Sequence, residues 1–500
     1  MNNVKLNYIY NLAFQIFAMI TPLITTPYVS RVLSPVGIGQ YSFATSINTY
    51  FCLIAALGFS IYGQREIAKN QDDITKQSIT FVEILLCKIL IGLLVFCVCW
   101  AIILLDIFKE YSYLMKILSI EIIGVSLNIS FFFQGNERFG IIALRDFSIR
   151  FVGTALIFIF VRERSDLWIY ALCNVGMTLI SALSLWPCMK GKLVKIEKRD
   201  LRLKRHIVPS IKLFVPTIAI SIYTILDKTL IGFLIPGTVE LQNANGLMVT
   251  EKLADIENGM YAQSEKIIKI CMTVISSLGT VMMPRNSKEL SNGNEENFIR
   301  NINKAIEFVM FIGAPMCAGI TAIAFNLSPW FFGDGYDKVP YLICIFALMI
   351  IPAGLGNVLG QQYLIPKGED SKYAIVYVAC AGINFGLNIV LIPSFFSYGA
   401  AVASVVAEVL APAVMLFFIR HNISFCHILY NNLKPLISAM VMFVCVYGTS
   451  LFLDSSIINT FLLIFEGIVV YLALVLILKC PIALDSINTI KRRITGKKHD

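Results

Sequence analysis

Several charged side chains stand inside long apolar runs, where an ionised group costs about 2.5–3.5 kcal/mol or more and so marks a candidate site. Glu83 and Lys88 share one run, Glu121 lies in the next, Asp146 and Arg150 in a third, and Asp227 and Lys228 in a fourth. Glu265 and Lys266 open a further run, and Glu408 and Glu466 are lone acids near the end of the chain. Side chains of these types suit binding: a buried ammonium or guanidinium is a counter-charge for an anionic ligand, and a carboxylate steadies it or seats a cation. Asp227 and Lys228 are the sharpest case, because neighbouring helical positions point about 100° apart and cannot both face lipid cheaply. At least one of the two is expected to meet a polar cavity.

Each charge also has a plainer reading. Asp146 and Arg150 are spaced i, i+4 on one helical face, so they either neutralise each other or line a cavity. Glu83 and Lys88 are five apart, a poorer match, and Lys88 lies deeper, which favours a cavity position for it. Arg31, just past the first apolar run, is either an anchor at the outer rim or a ligand contact. Glu408 either faces a cavity wall or serves packing, and Glu466 reads as a packing group. The 13 cysteines form no CxxC pair and the four histidines no cluster, so no metal site is expected. There is no GxxxxGK[ST] loop, so ATP is not expected to act directly and no cofactor is implied; coupling to a proton or sodium gradient stays open.

The elements that must carry these charges follow from composition. Hydrophobic residues make up 57% of the 500 positions and charged residues 15%, with a mean hydropathy of +0.74; soluble domains run nearer 45–50% and 25%. Continuous apolar stretches such as 89–105 and 462–478 suit helices, not the alternating segments of a membrane barrel. At about 20 residues per crossing, the runs predict about fourteen spans, near 8–29, 40–62, 79–105, 113–133, 141–161, 167–188, 209–235, 261–283, 303–326, 339–363, 373–393, 399–419, 433–453 and 459–479. The N-terminus reads as a retained first helix. Most of the 41 Lys and Arg fall on one side of this arrangement, which puts both termini in the cytoplasm. The segment 190–206, with eight basic residues, reads as a topology anchor against anionic headgroups, as does the tail 491–498.

Weak echoes suggest a duplication. GQY at 39–41 answers GMY at 259–261, FQGNERF at 133–139 answers Gln361, Gln362 and KGE at 367–369, and Pro22 and Pro27 answer Pro209 and Pro216. The chain is therefore read as an all-α integral membrane protein with two pseudo-repeated six-helix lobes around a central cavity, plus two C-terminal helices. The lobes are 1–206 and 207–420, with the added pair and basic tail in 421–500. An insertion at 237–257, polar enough for an outer loop and able to hold a short amphipathic helix, breaks the symmetry.

The stretch PYVSRVLSPVGIGQYSFA at 27–44 resembles the bacterial polysaccharide repeat-unit flippases, the Wzx-type proteins of O-antigen and capsule synthesis. So do YGQRE at 62–66, FFQGNERF at 132–139, LDK at 226–228, YAQSEKI at 261–267 and MPR at 283–285. These proteins belong to the multidrug/oligosaccharidyl-lipid/polysaccharide transporter superfamily, whose fold is of the multidrug-and-toxin-extrusion kind. The resemblance covers about 1–480, and the insertion departs from it. It implies movement of an undecaprenyl-diphosphate-linked oligosaccharide to the outer leaflet of a bacterial cytoplasmic membrane, with Lys228 as leading diphosphate contact and Asp227 holding it or binding a coupling cation. A polysaccharide polymerase is then a possible partner beside membrane lipids; nucleic acid is not. A multidrug antiporter should carry acids rather than bases in its cavity. A membrane-embedded glycosyltransferase or polymerase needs a large catalytic outer loop, and a scaffold explains neither the buried charges nor the repeat.

Overall fold

The structure, a computed structural model, describes residues 4–105, 107–197, 201–242, 248–420 and 432–484. The basic tail 491–498 and the histidines at 421, 427 and 499 lie outside the described residues. Long helices dominate, and among the described residues nine helical segments are apolar and long enough to cross a membrane. The first helix, α1 (Val4–Ala56), runs for 53 residues but leaves helical geometry at Ser34, where φ is 58°. Pro35 explains the break, since it disfavours the helical region for the residue before it. A straight helix of this length would reach about 80 Å, far beyond a hydrocarbon layer of roughly 30 Å, so the kink divides α1 into two spans.

The short α2 (Phe59–Lys69) continues the second span, and α3 (Ile74–Leu104) starts with the Asp73 carboxylate accepting from the amides of Thr75 and Lys76. The expected fourth span is broken into α4 (Ser112–Leu118), α5 (Ile120–Leu127) and α6 (Ser130–Gly135). Then come α7 (Phe139–Phe160), α8 (Leu167–Leu183) and α9 (Lys204–Leu234). The helices α10 (Leu253–Ser291) and α11 (Glu295–Phe332) follow the insertion. The expected tenth span is also broken, into α12 (Val339–Ala347), α13 (Ile350–Asn357) and a π-helical segment at Val358–Leu364. Thus the fourth span of each six-helix set is interrupted. The 50-residue α14 (Asp370–Ile419) bends at Phe396, where φ is 54°, and the last two helices are α15 (Leu433–Ser450) and α16 (Ile457–Ile477). Counting α1 and α14 as two spans each gives eleven among the described residues, and α7, α9 and α10, which are not among the nine, stand where the remaining three of the expected fourteen would lie.

The insertion is not helical. It forms a hairpin of β1 (Thr238–Gln242) and β2 (Met248–Lys252), antiparallel, with Thr238 opposite Lys252 and Leu241 opposite Val249. Alternation of polar and apolar residues and the β-branched Thr238, Val239, Val249 and Thr250 favour strands over the short amphipathic helix the sequence had left open.

Packing divides the chain into two compact units, Met1–Gly259 and Met260–Asp500. Within the first unit, α9 packs on α1, α2 and α3. Within the first unit, the starts of the second and eighth spans meet backbone to backbone. A Cβ on Gly39 would lie 1.7 Å from the Asp255 carbonyl oxygen, and one on Gly259 would lie 2.0 Å from that of Pro35. In the second unit, α11, α15 and α16 share a core of Ala322, Ile323, Met442, Val446 and Leu463. Lipid-facing residues are apolar in turn: α3 exposes Leu90, Leu93 and Leu94 while burying Lys88.

Candidate functional site

Lys88 is 1% exposed. Its ammonium donates to the Asn128 carbonyl and stands 5.4 Å from the centre of the Phe131 ring. The break between α5 and α6 creates this arrangement, because Asn128 is extended and its carbonyl lacks a helical partner. A carbonyl stranded at membrane depth must be satisfied, and Lys88 does so. In this conformation Lys88 is enclosed by protein.

Glu83 is fully buried. It accepts from the Arg202 amide, from Arg205 Nε at 3.0 Å, and bonds His206 Nε2 at 2.7 Å. His206 Nδ1 in turn lies 2.8 Å from the Tyr62 hydroxyl. The partners of Glu83 thus come from the basic linker and the first turn of α9. The Val194 amide donates to Ser78 Oγ and the Cys87 thiol to the Leu203 carbonyl, so the linker is stapled along α3. Lys192 sits 4.4 Å from the centre of the Phe133 ring.

A polar seam crosses the interior of the first unit. Asn48 donates to Glu121 at 2.9 Å, and Thr229 bonds both Ser46 Oγ, at 3.0 Å, and the Tyr50 hydroxyl, at 3.1 Å. Asp227 is 5% exposed and precedes Thr229 by two residues. Lys228 is half-buried, and its carbonyl accepts from the Asn258 side chain at 2.8 Å. Ser46, Asn48, Tyr50 and Thr229 were not singled out from the sequence, although the run Ser42, Thr45, Ser46, Asn48, Thr49 within one span was a readable signal.

The remaining candidates are dispersed. Asp146 pairs with Arg145 at 2.6 Å and accepts from Ser181 Oγ at 3.0 Å, while Arg150 and Arg31 are exposed. In the second unit, Glu265 pairs with Lys269 at 2.7 Å, beside a half-buried Lys266. Glu408 is half-buried within α14. Glu466 accepts from Thr449 at 2.9 Å, joining α16 to α15. No group of three metal-binding side chains occurs among the described residues.

Multiple apolar spans, some of them broken within the membrane-length segment, define a polytopic helical membrane protein. The fold aligns with a solved lipid II flippase, MurJ, in an inward closed conformation, at a TM-score of 0.71 and 13% identity, covering 98% of this chain and 100% of that one. An inward-facing multidrug-resistance MATE transporter aligns at 0.59 and 15% identity, covering 81% and 98%. Over residues 4–290 the chain matches the family described as polysaccharide biosynthesis protein, and it belongs to that family. An Escherichia coli (strain K12) protein provisionally named an O-antigen transporter is 23% identical over 423 residues, 84% of this chain and 97% of that one.

Proposed function

We propose that the protein carries an undecaprenyl-diphosphate-linked oligosaccharide repeat unit from the cytoplasmic to the outer leaflet of a bacterial cytoplasmic membrane, by alternating access. The observation that carries this reading is family membership together with a near full-length match to a relative named for O-antigen transport. The physical case agrees. A hydrated anionic head cannot cross hydrocarbon without polar side chains replacing its water, and the first unit supplies a polar seam with Asp227 and Lys228 beside it. Lys228 meets the diphosphate, and Asp227 holds it or takes a coupling proton or sodium ion. Both termini are cytoplasmic, and the delivered units pass to a polysaccharide polymerase.

The test is a deletion strain in which lipid-linked repeat units are located by accessibility to a membrane-impermeant periodate probe. The expected result is accumulation on the cytoplasmic side and loss of surface polymer, both reversed by the wild-type gene. Normal surface polymer in the deletion strain would overturn the reading.

A further inference from the structure

The hairpin is more than a filler between spans. It is fastened to the rest of the first unit by ion pairs from Glu251 to Arg164 and from Lys252 to Glu110, and by the Tyr111 hydroxyl donating to Asp255 at 2.8 Å. Beside it lies a cleft of about 220 Å³ lined by Phe43, Phe108, Tyr111, Phe233, Lys109 and Lys252. Phe43 forms the floor at 2% exposure. Around it, Phe233 and Phe108 stand edge-on at 5.3 and 6.3 Å between ring centres, and Tyr111 is tilted at 4.8 Å. Gly232 makes this possible, since a Cβ there would come within 2.1 Å of the Phe43 ring. Phe233 is left 57% exposed. Lys109 is exposed and has no ion pair among the described residues.

We infer that this cleft is a subsite for one pyranose ring of the transported glycan, and that the hairpin helps to set which sugar is accepted. The inference rests on the glycan-transport reading above. The exposed ring of Phe233, braced by the buried Phe43, stands beside charged rim groups and matches the two sides of a pyranose. Its C–H face is apolar and weakly positive and packs on the negative face of an aromatic ring, while its hydroxyl edge needs donors and acceptors such as Lys109 and the Glu110–Lys252 pair. The volume is below the roughly 300–1,000 Å³ of pockets for larger ligands, which suits a single ring. A lipid chain would strand the charged rim, and a phosphate headgroup would meet Glu110 and leave the Phe233 ring unused.

The experiment uses the full chain in lipid nanodiscs and saturation-transfer NMR with methyl glucoside, methyl galactoside, methyl N-acetylglucosaminide and methyl glucuronide, plus glycerol phosphate as a headgroup probe. At least one pyranoside should receive saturation, strongest on the protons of one ring face. Phe233→Ala should weaken it by roughly three- to tenfold. Lys109→Gln, at an exposed position that leaves folding intact, should weaken it as well. Absence of saturation on every pyranoside, equal transfer in wild type and both variants, or transfer to glycerol phosphate alone would overturn the subsite. None of these results touches the deletion-strain assay, so failure of the subsite and failure of the transport reading are separable.

Discussion

Gly39 and Gly259 each make room for the other's segment: Gly39 lies against the backbone of Asp255, and Gly259 against the backbone of Pro35. The pair GQY and GMY therefore echo in sequence because the two segments they begin cross at van der Waals distance. A side chain at either position would push against main chain, which cannot swing aside as a flexible side chain can.

Gly39→Ala and Gly259→Ala should each destabilise the protein by about 1–3 kcal/mol, the usual range for overpacking. Thermal unfolding of the detergent-solubilised protein measures this. Gly176→Ala is the control, since nothing lies within 4 Å of a Cβ there; equal losses at all three positions would remove the close-approach argument.

Glu83 gathers Arg205, His206 and the Arg202 amide onto α3. Glu83→Leu should cost about 1–3 kcal/mol, less than a fully buried pair because the Arg205 side chain is 49% exposed. Glu83→Gln keeps an acceptor for the amide and should lose less. Limited proteolysis within 190–206 should accelerate in the Leu variant, because the linker loses its main attachment.

Lys228→Ala should cut glycan export strongly with normal protein levels in the membrane, and Lys228→Arg should retain more export than Lys228→Gln. Equal behaviour of Gln and Arg would exclude a charge role. Lys88→Met should lower both export and abundance, because it strands the Asn128 carbonyl at a cost of about 1–3 kcal/mol. Quantitative membrane blots beside surface-polymer assays separate the two lysines.

Trimming the hairpin to a short turn between Val239 and Thr250 should leave membrane insertion intact, because Glu251, Lys252 and Asp255 keep their attachments. Removing Asp255 as well should lower the unfolding temperature. Loss of the protein after trimming alone would make the strands structural.

The spans, the broken symmetry at 237–257 and the charges of interest could be read from composition and period, because lipid imposes length and polarity on every crossing segment. The kink at Ser34 was implied by Pro35. What could not be read were partners far apart in the chain. Glu83 meets residues of the linker well over a hundred positions away, so its spacing from Lys88 carried no information. The Asp146 carboxylate also takes the neighbouring Arg145, whose guanidinium bonds the Ser181 carbonyl, a contact that i, i+1 spacing does not announce. The hairpin was hidden because five-residue strands give too short a pattern to stand out from a polar loop.

Because Thr238 faces Lys252 across the hairpin, the inserted chain leaves and re-enters the helical body at one point. The helices on either side see the same closing distance whatever lies between the strands. Such a segment is a cassette: it can be lengthened, shortened or replaced during descent without asking the membrane-embedded helices to repack. The hairpin can then diversify at the rate of a surface loop while the membrane-embedded body stays under the slower constraint of the bilayer.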